Sequence, residues 1–167
     1  MNDSTGHSRG FTLRQAQPRD IDDLVRLIAA LAEYEKLTHL LQVTPERLRA
    51  QLFCDRPPAE ALVAELDSGE VAAFALFFTN FSTFLARPGL YLEDLFVQPQ
   101  HRTRGIGSAL LRRLAGIAVE RECGRFEWSV LDWNEPAIRF YESRGASVMP
   151  DWRICRVTGE ALKALAD

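Results

Sequence analysis

The sequence predicts an α/β (α+β) fold with one mixed central sheet and helices on both faces. Three observations predict it. Strand-like runs come first, at residues 61–66 and 71–78, flanking the hairpin signal Asp67-Ser68-Gly69-Glu70, then at residues 90–97. The second half then alternates helix, strand, helix, strand, the rhythm of a chain that returns repeatedly to one sheet. Where the two patterns meet stands a basic glycine turn, Arg102-Thr103-Arg104-Gly105-Ile106-Gly107.

Taken in order, residues 11–16 alternate weakly and predict a first strand. Asp20 is placed to cap a helix whose apolar positions Ile21, Leu24, Val25, Leu27, Ile28 and Leu31 recur at helical spacing. Thr44-Pro45 starts a second helix, with threonine as cap and proline in the first turn, and Pro57-Pro58 ends that element. The polar stretch 79–89 reads as a loop carrying Phe81, Phe84 and Pro88, and Pro99 stops the strand after it. Helices follow at 107–120 and 134–143, separated by a strand at 126–131, and Gly145 stands where a C-cap glycine belongs. A late strand is predicted at 152–157 and a short closing helix at 159–166.

Composition narrows the class. The chain has 167 residues, 47% of them hydrophobic, enough for one domain (residues 11–167) with its own core behind a flexible tail at 1–10. A net charge of −3 excludes a general nucleic-acid field. No apolar run approaches the ~18–20 residues of a membrane span, and the polar N-terminus has no signal-like segment, so a cytoplasmic protein without a membrane partner is expected. Cys54, Cys123 and Cys155 form no C-x-x-C pair and read as buried reduced thiols. His7, His39 and His101 are scattered, so no metal is expected.

The basic turn carries the first chemical signal. A strand-to-helix junction aims backbone N–H groups and the positive end of a helix dipole at one point, which suits a phosphate or pyrophosphate. Gly105 and Gly107 allow close approach, while Arg102 and Arg104 add charge. Neither a Walker loop nor a dinucleotide fingerprint fits, because no G-K-[ST] follows and Leu110 stands where the third glycine would be. A tight turn needing glycine for geometry explains the same residues. The second signal is Asn134-Glu135-Pro136-Ala137, followed by Tyr141 and Gly145. Asn134 suits a helix cap, and Ala137 and Tyr141, four apart, share a face that leaves room beside the phenol. A packed amphipathic helix with a core tyrosine accounts for this spacing equally.

Together, Arg102-x-x-Gly105-x-Gly107 after a strand and Asn134-x-x-Ala137-x-x-x-Tyr141-x-x-x-Gly145 resemble the GNAT superfamily of acetyl-CoA-dependent N-acetyltransferases. Within it, Leu31-Ala32-Glu33-Tyr34-Glu35, Leu90-Tyr91-Leu92-Glu93-Asp94-Leu95-Phe96-Val97 and Trp133-Asn134-Glu135-Pro136 resemble the spermidine/spermine (diamine) N-acetyltransferases. The likeness runs over residues 11–166.

The resemblance implies a strand splayed from its neighbour, with Leu95, Phe96 and Val97 pairing to the pantetheine arm. It puts the pyrophosphate on Arg102, Thr103, Arg104, Gly105, Ile106, Gly107 and Ser108, with Asn134 and Ala137 bordering the thiol end. It implies direct transfer: a neutral amine attacks the thioester, a backbone N–H near Phe96 stabilises the oxyanion, and Tyr141 is general acid toward the thiolate. Glu93 is the candidate for accepting the amine proton, directly or through water, although a surface or salt-bridged carboxylate explains it too. Tyr34, Glu35 and Glu93 match substrate-contacting positions, where carboxylates suit a cationic amine. Glu93 and Asp94, adjacent on a strand, should point to opposite faces, with Glu93 toward the acceptor. A homodimer, with residues 152–157 exchanged or paired between copies, is the family expectation.

The chain departs from that pattern in two places. Thr103 stands where many relatives carry glycine, and the 80–89 segment lacks the tryptophan and acidic residue of the polyamine enzymes. Phe81 and Phe84 either wall a more apolar acceptor site or pack the loop, and Arg87, if it faced the acceptor, would disfavour a long polycation. A shorter diamine or thialysine therefore stands beside spermidine. A peptide N-acetyltransferase and a non-catalytic acyl-CoA sensor are the competing classes.

Overall fold

A computed structural model describes residues 10–166, which fall into two units divided after Ser129. The tail expected at 1–10 lies, but for Gly10, outside the described residues.

The first unit holds a five-stranded sheet in the order β1-β2-β3-β4-β5: β1 (Phe11–Gln15), β2 (Glu60–Leu66), β3 (Val71–Ser82), β4 (Arg87–Val97) and β5 (Arg125–Trp128). The first four strands are antiparallel neighbours and β5 runs parallel to β4, so the sheet is mixed. Three helices belong to it: α1 (Ile21–Tyr34), α2 (Pro45–Leu52) and α3 (Ile106–Glu120).

The period-two alternation of the strands divides these helices between two faces. Val63, Phe74 and Phe96 join Ile21, Leu24, Leu27 and Leu31 of α1 and Leu48 and Leu52 of α2 in one buried cluster. The intervening residues Leu62, Ala64, Ala73 and Ala75 are also buried and face the other way. There α3 packs through Leu110, Leu114 and Ile117, each side chain contributing about 1.5–3 kcal/mol on full burial. The pairs Ala64–Ala73 and Leu62–Ala75 keep that side of the sheet low in relief, so a helix can lie close.

Asp20 does not cap α1 as expected, since its carboxylate makes no bond to the helix's own amides. It accepts the Gln17 N–H at 2.7 Å and two Arg14 bonds at 2.6 and 2.8 Å, tying β1 to the start of α1. Thr44 does cap α2, its Oγ1 accepting from the Arg47 N–H at 3.2 Å.

The stretch expected as a loop at 79–89 is mostly strand. Pairing continues from Thr79–Leu90 through Ser82–Arg87, leaving a turn at residues 83–86 in which Ala86 takes φ 50°. The polar residues that suggest a loop here are those of a two-stranded ribbon running beyond the core.

The second unit contains α4 (Glu135–Glu142) and α5 (Gly159–Ala166). Asn134 Oδ1 accepts from the Ala137 N–H at 3.3 Å, as a cap should, and Gly145 ends the helix at φ 90°. The strand expected at 152–157 does not form. Its apolar residues are exposed, Trp152 by 74% and Ile154 by 69%. Strand propensity needs a neighbouring backbone to pair with, and no described strand pairs with this segment. The expected 126–131 strand is shorter too, ending at Trp128.

Candidate active site

The site begins where two strands part. β4 and β5 pair only from Gly89–Arg125 to Leu92–Trp128. From Glu93 onward β4 keeps its β3 neighbour, while no described strand pairs with its other edge. The outward-facing main-chain groups of residues 95–97 thus line an edge without a described strand partner, which suits an extended arm rich in amides.

A bulge sits at the point of parting. The register runs from Leu76–Asp94 directly to Phe77–Leu92, so Glu93 is an extra residue in β4. Bulges re-aim side chains and interrupt alternation. The expectation that Glu93 and Asp94 face opposite sides holds for a regular strand, not for this one. Glu93 is exposed and Asp94 half-buried. Asp94 pairs opposite Leu76 and lies two residues from Phe96, which places it on the α1 face.

There it meets the end of α1. Burial, then the negative charges of Glu93 and Glu35, push the Asp94 carboxyl up to about 6. Burial also raises the Glu35 carboxyl from its ordinary value. Glu35 is the C-cap of α1, and the chain turns away through Lys36 at φ 61°. Three carboxylates thus gather around the open end of β4, where keeping them charged together is costly and a bound cation would lower the cost.

Arg102 closes one side. Its Nε donates to the Val97 carbonyl at 3.0 Å, and its guanidinium lies 4.9 Å from the Tyr34 ring centroid and 5.7 Å from that of Phe96. The turn continues with Thr103 at φ 63° and Gly105 at φ 84°, the residue before α3. Glycine is required at 105 because a Cβ is disfavoured in the left-handed region. The same region at Thr103 explains why glycine suits that position. The first-turn amides of α3, at Ile106, Gly107 and Ser108, have no carbonyl four residues back within the helix. Arg104 is exposed beside them. The donor set of this turn fits a diphosphate.

Asn134, Ala137 and Tyr141 lie together on α4 in the second unit, where Tyr141 is half-buried with its ring edge-on to Phe140 at 5.4 Å. Phe81 and Phe84 do not pack the hairpin, being 61% and 96% exposed. Arg87 sits seven residues along β4 from Asp94, about 20 Å away, so it does not oppose the carboxylates. Sequence reasoning missed Asp94 as a site residue because its placement depends on the bulge and its charged neighbour Glu35 is distant in the chain. Cys54 and Cys155 are exposed rather than buried. Among the described residues no three His, Cys, Asp or Glu side chains are placed to hold a metal ion together, and no helix is long and apolar enough to cross a membrane.

A family model described as Acetyltransferase (GNAT) family matches residues 26–146. The chain belongs to that family. Its relatives include L-ornithine N5-acetyltransferase of Arabidopsis thaliana, 36% identical over 96% of this chain and 90% of that protein. Thialysine N-epsilon-acetyltransferase of Mus musculus is 37% identical over 92% of this chain and 96% of its own length. Among solved structures, an integron cassette protein from the mobile metagenome of V. cholerae superposes with a TM-score of 0.79 at 26% identity, covering 95% of this chain and 99% of that one. This GNAT acyltransferase carries both motifs of the resemblance, the Arg102–Gly107 turn and the Asn134–Tyr141 helix, and its β4 runs on past the end of its pairing with β5.

Proposed function

We propose that this N-acetyltransferase acetylates a primary amine on a small acceptor that carries a second cationic group, such as a diamine, thialysine or ornithine. The observation that carries the reading is the half-buried Asp94 carboxyl, held near Glu35 and Glu93 where β4 leaves β5. Relatives named for ornithine and thialysine support it.

Acetyl-CoA, the cosubstrate of GNAT acetyltransferases, supplies an activated acetyl thioester when bound. Leu95, Phe96 and Val97 offer it their open main-chain edge. Residues 102–108 offer their amides and the Arg104 charge to its diphosphate, and Asn134 and Ala137 match the family motif that borders the thiol end. The acceptor enters as an ammonium, since a free alkyl amine has a pKa near ~10. Glu35 and Tyr34 hold its distal cation. Asp94 and Glu93 accept the proton at the reacting nitrogen, directly or through water. A carboxyl raised to about 6 is a stronger base than an ordinary aspartate. Tyr141 Oη holds the proton that the departing sulfur takes up.

The exposed Trp152, Ile154 and Val157, on a segment without a strand partner, support a homodimer. Three free thiols fit a reducing, cytoplasmic setting.

The test is thiol release from acetyl-CoA across putrescine, spermidine, thialysine, ornithine, lysine and a lysine-bearing peptide. Release with the small dications supports the reading. Release with the peptide alone contradicts it.

A further inference from the structure

One side-chain chain reaches the phosphate turn from elsewhere in the fold. Glu70 lies in the turn between β2 and β3, His101 in the short helical turn Pro99–His101 after β4, and Arg104 just before α3. His101 Nε2 is 3.2 Å from Glu70 Oε1, and His101 Nδ1 is 3.2 Å from Arg104 Nη1. The imidazole side chain is only 13% exposed. With its amide nitrogen toward Glu70, Gln98 gives the same Oε1 a second donor at 2.9 Å.

The chemistry at each end leaves one arrangement of protons. A carboxylate only accepts and a guanidinium only donates. A neutral imidazole between them satisfies both only as the Nε2–H tautomer, with the Nδ1 lone pair accepting from Arg104. We propose that Glu70 and His101 form a relay that holds the Arg104 guanidinium at the cosubstrate's phosphate turn, making His101 a positioning residue for coenzyme A binding. The inference rests on acetyl-CoA occupying the α3 turn, as set out above.

Arg104 is exposed, and an exposed arginine otherwise samples many rotamers that a phosphate must quench on binding. The relay uses one of its five N–H groups and Nη2 lies beside Gly10, 3.5 Å from where a Cβ would stand there, which leaves the remaining donors for phosphate oxygens. Residue 101 therefore acts on affinity through Arg104 and on nothing at the reacting nitrogen.

The test is a double-mutant cycle read by calorimetric Kd for coenzyme A. His101→Phe should raise Kd roughly 3- to 10-fold, the range expected for losing the preorganisation of one long side chain. His101→Asn, whose Oδ1 can accept near the Nδ1 position, should recover most of it. In an Arg104→Ala background, His101→Phe should change nothing further. Nitrogen NMR of the wild-type protein should show the Nε2–H tautomer at His101, a readout that needs no variant to fold. An equal loss in both backgrounds, or the Nδ1–H tautomer, overturns the relay. Wild-type protein that binds no coenzyme A overturns the cosubstrate placement itself, and the relay's role with it.

Discussion

The Arg102 guanidinium stacks 4.9 Å from the Tyr34 ring centroid while its Nε holds the Val97 carbonyl. One arginine thus joins the end of α1 to the end of β4, the two elements that carry Glu35 and Asp94. Arg102→Leu should lower stability by about 1 kcal/mol through the lost cation–π and charged hydrogen bond. It should also raise KM for the acceptor, because Tyr34 loses its anchor. Thermal unfolding and steady-state kinetics check the two parts separately, and an unchanged acceptor KM would remove Arg102 from the organisation of the site.

Asp94 gives a pH-dependent prediction. Its folded value of about 6 lies above the ordinary aspartate value of 3.8, so ionisation opposes folding. At 1.36 kcal/mol per unit the shift corresponds to about 3 kcal/mol, and solvent access at a half-buried group reduces this to about 1–2 kcal/mol. The cost is absent below about pH 4 and complete above about pH 6. Asp94→Asn should therefore be more stable than wild type at pH 7.5, with the gap closing as pH falls to 4. Its turnover should fall at every pH. Urea unfolding at several pH values measures the first effect, and a constant difference across pH would refute it.

Thr103 occupies the left-handed region at φ 63°, with its hydroxyl donating to the Arg102 carbonyl at 2.6 Å. A β-branched residue there costs on the order of 1–2 kcal/mol. Thr103→Gly gives up the hydroxyl bond and gains freedom in the unfolded chain, leaving a net stabilisation of about 0.5–1 kcal/mol. A higher melting temperature with unchanged or tighter coenzyme A binding is the expected result, and a lower one would show that the hydroxyl outweighs the strain.

Tyr141→Phe should lower kcat by about 100-fold or more, the scale of a lost general acid, while calorimetry shows nearly unchanged acetyl-CoA affinity. Equal losses in both would assign the tyrosine to binding.

Much of the fold was legible because local signals agree with it. Helical spacing marked α1 and α3, Thr44 and Asn134 marked caps, and Asp67–Glu70 marked the hairpin between β2 and β3. What was illegible depends on pairing between distant residues. Glu93 is an extra residue only relative to Leu76 and Phe77 in β3. The segment 79–82 is strand only because 87–90 runs beside it. Asp94 looks like one half of a surface pair until α1 brings Glu35 near. His101 looks isolated because its partner Glu70 is 31 residues away. Conversely, residues 152–157 have strand propensity without a backbone to pair with.

The central claim is that carboxylates around the open end of β4 read a second positive charge on the acceptor. The most direct measurement compares kcat/KM, by thiol release from acetyl-CoA, for a diamine and the monoamine of equal chain length, in wild type and Glu35→Gln. The account predicts that wild type prefers the diamine by at least about 10-fold, roughly one desolvated charge contact, and that Glu35→Gln loses most of this preference. Equal kcat/KM for the two amines in the wild-type protein would contradict it.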